Sequence, residues 1–202
     1  MRDSELRERL GRAPILPILT VRSVEAALAQ IAALIAGGLT CIEIVFRTPE
    51  AKEALRRAKA RFPGTAFGAG TMLSVDTFEA ATDAKADFLV SPGLTPALHS
   101  LAGRSECLFV PGVQTASEVL AAHEFGYRIL KYYPSAASNG HVVLADYANI
   151  FADIVFIPTG KIEKIQVPLY AALGNVLAVG GSFMIAPDAA STTALAASFL
   201  RR

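Results

Sequence analysis

The sequence predicts an α/β protein of the (β/α)8 TIM-barrel class. Short β-branched runs alternate with longer alanine-rich segments along almost the whole chain. Their centres recur roughly every 20 to 26 residues, close to the smallest strand-plus-helix unit, and there are eight of them. The runs read as strands near 15–20, 40–46, 65–68, 87–90, 107–110, 127–132, 153–157 and 176–180. Helices covering a parallel sheet explain why these runs are apolar on both faces. An open doubly wound sheet is the competing arrangement. It lacks its usual signature, because Leu19, Thr20, Val21 and Arg22 after strand one form no glycine-rich loop.

Helix-like segments fill the gaps, among them Val24 to Ile35, Glu50 to Ala60, Val75 to Ala84, Ser117 to Glu124, Ile162 to Leu173 and finally Ala189 to Phe199. Ser23 is placed to cap the first and Asp188 the last.

With 202 residues, 52% of them hydrophobic, the chain supports one sizeable core and a single domain over 1–202. A formal charge of +1 with dispersed signs gives no basic stripe for a nucleic-acid backbone, and the aromatic residues show no base-stacking pattern. Cys41 and Cys107 lack metal-site spacing and read as reduced core thiols. His99, His123 and His141 read as surface or packing residues, so no metal and no cofactor is expected. The charged N-terminus lacks the apolar centre of a secretion signal, and nothing resembles a membrane span, which predicts a soluble cytoplasmic protein.

Lys131 carries the most chemical information. It lies near the end of an apolar run, directly before Tyr132, Tyr133 and Pro134. A charged lysine at that depth must find a partner, reach water or release its proton. Alternation places it inward with Tyr127 and Ile129, while Leu130 and Tyr132 face the helices. On strand two, Cys41, Glu43, Val45 and Arg47 share the inward face. Two readings stand for this group. One is structural, with Glu43 paired to Arg47 or Lys131, or Lys131 snorkelling to solvent. In the other, Arg47 holds a substrate anion, Glu43 moves protons, and a partly neutral Lys131 amine attacks a ketone.

Other strand ends carry small or polar groups. Thr71 closes the segment Gly68-Ala69-Gly70-Thr71, and its hydroxyl is placed to meet a substrate carboxylate beside Arg47. Pro158-Thr159-Gly160-Lys161 and Gly180-Gly181-Ser182 follow strands seven and eight, whose loops form the usual phosphate cradle of a TIM barrel. Each segment alone is also explained by a tight turn.

These motifs occur together in one register: Ile42-Glu43-Ile44-Val45-Phe46-Arg47-Thr48, Gly68-Ala69-Gly70-Thr71, Ser91-Pro92-Gly93-Leu94, Pro111-Gly112-Val113, Leu130-Lys131-Tyr132-Tyr133-Pro134, Pro158-Thr159-Gly160 and Gly180-Gly181-Ser182. From about Ala13 to Ala186 the chain resembles the bacterial 2-dehydro-3-deoxy-6-phosphogluconate (KDPG) and 4-hydroxy-2-oxoglutarate (KHG) aldolases. The resemblance implies a trimeric barrel and a class I mechanism in which a phosphorylated 2-keto acid gives pyruvate and glyceraldehyde 3-phosphate. Lys131 then matches the Schiff-base lysine and Glu43 the general acid/base. Arg47 and Thr71 match groups at the pyruvate carboxylate, Pro92 and Thr159 line the substrate, and Gly160, Gly181 and Ser182 fall at the phosphate. Cleavage of 4-hydroxy-2-oxoglutarate or an unphosphorylated or galactonate-type keto acid is the enzymatic alternative. A non-catalytic sugar-acid-binding or assembly protein is the other.

One departure stands out. The family pattern has two glycines after Pro-Thr, whereas this chain has Gly160 followed by Lys161. If the second position needs a positive φ, lysine costs about 1 kcal/mol there. Its ammonium either reinforces phosphate binding or selects another anionic tail.

Overall fold

A computed structural model describes residues 1–200, so the final two residues of the 1–202 unit lie outside the described residues. Each strand run predicted from sequence forms a strand, and all strand pairs are parallel. Six strands make one curled sheet in the order β5-β4-β3-β2-β1-β9: β1 (Ile15–Thr20), β2 (Cys41–Val45), β3 (Ala66–Gly70), β4 (Phe88–Val90), β5 (Leu108–Val110) and β9 (Val179–Gly181). A second sheet of three strands joins β6 (Gly112–Val113), β7 (Ile129–Tyr132) and β8 (Val155–Pro158). Pro111 has no N–H to donate and separates β5, which holds the fifth predicted run, from β6, a two-residue strand outside every predicted run. Single bridges at Phe156–Val176 and Thr159–Gly180 lie between β8 and the β9 segment.

Alternation sorts the strand residues into two cores. Cys41, Ala66, Val90, Val110, Ile129 and Ile157 meet in the interior, whereas Ile42, Ile44, Phe67, Leu89, Leu130 and Phe156 pack toward the helices. Tyr127 departs from its expected inward place. It precedes β7 and packs in the outer core, edge-on to Phe109 and His99.

The helices begin where capping chemistry allows. Ser23 Oγ accepts from the Ala26 N–H ahead of α2 (Val24–Ala36), and Asp188 accepts from Ser191 N–H ahead of the last helix, Ala189–Ala197. Between them, α3 (Glu50–Arg61), α4 (Val75–Asp83) and α6 (Ala116–Glu124) match their predicted spans closely. Three helices have no counterpart in the expected set: α1 (Asp3–Gly11), α5 (Pro96–Ala102) and α7 (Gly140–Ile150). Leu6 and Leu10 of α1 join the interior core beside Cys41, Ala66 and Phe88, the first residues of their strands. Thus α1 closes the end of the molecule opposite the strand C-termini.

The predicted helix over Ile162 to Leu173 starts late and begins as a 3-10 turn. Gly160 and Lys161 both have positive φ and Glu163 is extended, so only a short 3-10 turn (Lys164–Gln166) and α8 (Val167–Ala171), with Pro168 in its first turn, form there. No described helix is long and apolar enough to cross a membrane.

Candidate active site

Glu43 and Lys131 form the floor of the site. They project from β2 and β7 into the interior and are buried, with 1% and 6% of their surface exposed. Lys131 Nζ lies 3.6 Å from Glu43 Oε1, inside ion-pair range but beyond a hydrogen bond, and that buried oxygen has no hydrogen-bond partner among the described residues. Leaving such an oxygen unsatisfied costs on the order of 1–3 kcal/mol. On its other side the ammonium sits 5.6 Å from the centroid of the Tyr133 ring.

Gly70 makes room for the carboxylate. A Cβ at this position would lie 2.0 Å from Glu43 Oε1. Gly70→Ala therefore displaces the carboxylate while leaving Lys131 in place. The expected result is a fall in kcat of about 10²-fold for a displacement near 1 Å, with imine formation retained, read by steady-state kinetics alongside reductive trapping. Unchanged kcat would show that the carboxylate's position is immaterial.

Above the floor opens a cavity of about 310 Å³ at the C-terminal ends of the strands. Lys131 and Arg47 reach it from below and from one side, and Thr159, Gly160 and Lys161 form a second wall. Gly180, Gly181 and Ser182 complete the mouth. Arg47 does not pair with Glu43; its Nε donates to Thr71 Oγ1 at 3.2 Å. Thr71 lies outside the lining and reaches the site through that hydrogen bond. Its φ is 69°, in the left-handed region that β-branched residues rarely occupy, a conformation costing about 1–2 kcal/mol. Pro92, at the end of β4, also lies outside the lining, packed so closely against Gly112 that a Cβ there would meet the Pro92 carbonyl at 2.2 Å.

Sequence reasoning missed Ile18, Thr20 and Tyr133 on the cavity wall. Tyr133 was visible in one respect: it stands two residues beyond Lys131 and so shares its parity.

The remaining candidates pack elsewhere. His99 stacks on Phe125, His123 pairs with Asp153, and His141 meets Tyr170 edge-on. Cys41 lies in the interior core, where burial pushes its thiol up and leaves it a poor nucleophile, and Cys107 is also unbridged. Among the described residues no group of three or more His, Cys, Asp or Glu is placed to hold a metal ion.

Known proteins match the chain over nearly its whole length. Residues 6–197 match the family model for KDPG and KHG aldolase. The chain is 41% identical over 173 residues to the 2-dehydro-3-deoxy-phosphogluconate aldolase of Pseudomonas aeruginosa, covering 86% of this chain and 79% of that one. It is 34% identical over 180 residues to the KHG/KDPG aldolase of Escherichia coli K12, covering 89% and 84%. Among solved structures, the KDPG aldolase of Legionella pneumophila, with pyruvate captured as a covalent carbinolamine, superposes with a TM-score of 0.91 at 32% identity, covering 96% of this chain and 98% of that one. The 2-keto-3-deoxy-6-phosphogluconate aldolase of Zymomonas mobilis with 3-phosphoglycerate gives 0.90 at 35% identity over 100% and 98%. Agreement over nearly the full length, in sequence and in fold, makes the chain a member of the KDPG and KHG aldolase family.

Proposed function

We propose that the protein is a class I aldolase that cleaves 2-dehydro-3-deoxy-6-phosphogluconate to pyruvate and D-glyceraldehyde 3-phosphate through an imine on Lys131. The observation that carries this reading is the buried Glu43–Lys131 pair, 3.6 Å apart, with a carboxylate oxygen that has no hydrogen-bond partner among the described residues.

The neutral Lys131 amine attacks the C2 ketone to give a carbinolamine, and loss of water leaves an iminium. Glu43, through a water molecule, takes the C4 hydroxyl proton. The C3–C4 bond breaks, its electron pair flows into the iminium to form an enamine, and the aldehyde departs. Protonation at C3 and hydrolysis then release pyruvate and the amine. Arg47, held by Thr71, binds the carboxylate, and Thr159 flanks the carbon chain. Gly160, Lys161, Gly180, Gly181 and Ser182 receive the phosphate. The iminium is the electron sink, so the scheme has no step that calls for a metal ion.

The strands are read as one closed (β/α)8 barrel. Support comes from the Lys131 N–H donating to Pro111 O at 2.9 Å, which ties β7 to the junction of β5 and β6, and from the bridges between β8 and the β9 segment. The homotrimer implied by family resemblance is checked by sedimentation equilibrium. Activity is checked by supplying the 6-phosphogluconate derivative and measuring both products. Stoichiometric pyruvate and glyceraldehyde 3-phosphate are expected, and absence of either contradicts the assignment. Cleavage of 4-hydroxy-2-oxoglutarate at the same imine is a second reading, favoured by the KHG/KDPG name of the Escherichia coli relative.

A further inference from the structure

We propose that Lys161 is a specificity-determining residue whose ammonium recognises the phosphate dianion at the tail of the substrate. This rests on the aldolase reading above and deepens it.

The first observation is conformational. Gly160 and Lys161 have φ of 103° and 55°, so two successive residues occupy positive φ. Glycine adopts such angles freely, whereas a side-chain-bearing residue is disfavoured there. The chain nevertheless carries a lysine, and that lysine lines the same cavity as Lys131.

Charge is the second observation. Among the described residues three cations, Arg47, Lys131 and Lys161, line the cavity and no aspartate or glutamate does; Glu43 lies beneath. Among the described residues Lys161 forms no ion pair. Arg47 is engaged with Thr71 at the carboxylate end, and Lys131 is consumed as the imine. Lys161 is then the cation left for the tail.

Hydrogen-bond donors supply the third. The backbone N–H of Lys161 donates to no protein acceptor among the described residues, whereas that of Gly160 is turned toward Gly180 in the Thr159–Gly180 bridge. A backbone N–H left over in a turn, beside the ammonium of the same residue, gives an anion two donors. A phosphate monoester brings about −1.5 to −2 charges and three acceptor oxygens, enough to occupy this N–H and the ammonium together. A hydroxyl tail offers the ammonium no charge to meet.

The test compares wild type with Lys161→Gly, Lys161→Met and Lys161→Arg, using phosphorylated and unphosphorylated 2-keto-3-deoxygluconate. Both charge-removing variants should lower the ratio of kcat/KM for the phosphorylated over the unphosphorylated substrate by about tenfold, chiefly through KM. Lys161→Arg should retain most of the ratio. Lys161→Gly should also raise Tm by roughly 2–4 °C as the backbone cost is relieved. Met keeps that cost and Gly removes it, so equal loss in the two isolates the charge. A ratio unchanged in both variants, or reduced in Lys161→Gly alone, overturns the proposal. Pyruvate has no tail, so its borohydride trapping in each variant reports the aldolase reading separately. If wild type turns over neither substrate and traps no pyruvate, that reading fails and this inference with it.

Discussion

Replacing Lys131 with methionine is expected to lower kcat/KM by on the order of 10⁵ or more, because the amine is the atom that becomes covalently joined to substrate. Methionine matches the length and apolar stem of lysine, so packing between β7 and the interior core is largely kept. The lost charge has a separate consequence. Lys131 is the ion-pair partner of the buried Glu43, and removing one member of a buried pair costs about 3–5 kcal/mol. Tm should therefore fall by roughly 10 °C. Combining Lys131→Met with Glu43→Gln removes both charges, and it should recover part of the stability and none of the activity. Thermal melts and steady-state kinetics on the three variants separate the two effects. Detectable cleavage by Lys131→Met at the wild-type rate would contradict the assignment.

Glu43→Gln should give the second-largest effect, a fall in kcat of about 10² to 10⁴-fold, the usual worth of a positioned general acid/base. The amide keeps the size of the carboxylate and can still accept a hydrogen bond, but it cannot take the C4 hydroxyl proton. Imine formation with pyruvate should persist in part, since the attacking atom belongs to Lys131. The discriminating measurement is single-turnover cleavage compared with the rate of reductive trapping. If both are unchanged, Glu43 is a structural partner of Lys131 and nothing more.

Much of this site was legible in the sequence because strand parity is a rigid rule. Alternation put Glu43 and Lys131 in one interior, and the structure brings them to 3.6 Å. Parity reaches only as far as the strand, however. Tyr127 was assigned inward, but β7 starts at Ile129 and the tyrosine packs outside. Arg47 lies beyond the end of β2, and its guanidinium turns to Thr71 instead of toward Glu43.

Positive φ at Thr71 carried no signal, because the glycine beside it, Gly70, is the last residue of β3 and the left-handed residue is the β-branched threonine that follows. At Lys161 the contrast with a glycine in the family pattern made the strain predictable, yet not its effect on the following helix. Two left-handed residues and an extended Glu163 delay helix formation to Val167. The first helix was hidden for another reason. Asp3–Gly11 is strongly charged, and its two buried leucines, Leu6 and Leu10, make too narrow a stripe to read as core-facing until the interior core receives them.

Reductive trapping tests the central claim most directly. The protein is incubated with pyruvate and sodium borohydride, digested, and its peptides are analysed by mass. The account predicts a stable secondary-amine adduct on the peptide bearing Lys131, with activity lost in proportion to its formation. An unmodified Lys131 under conditions where the enzyme turns over, or an adduct confined to another lysine, would contradict it.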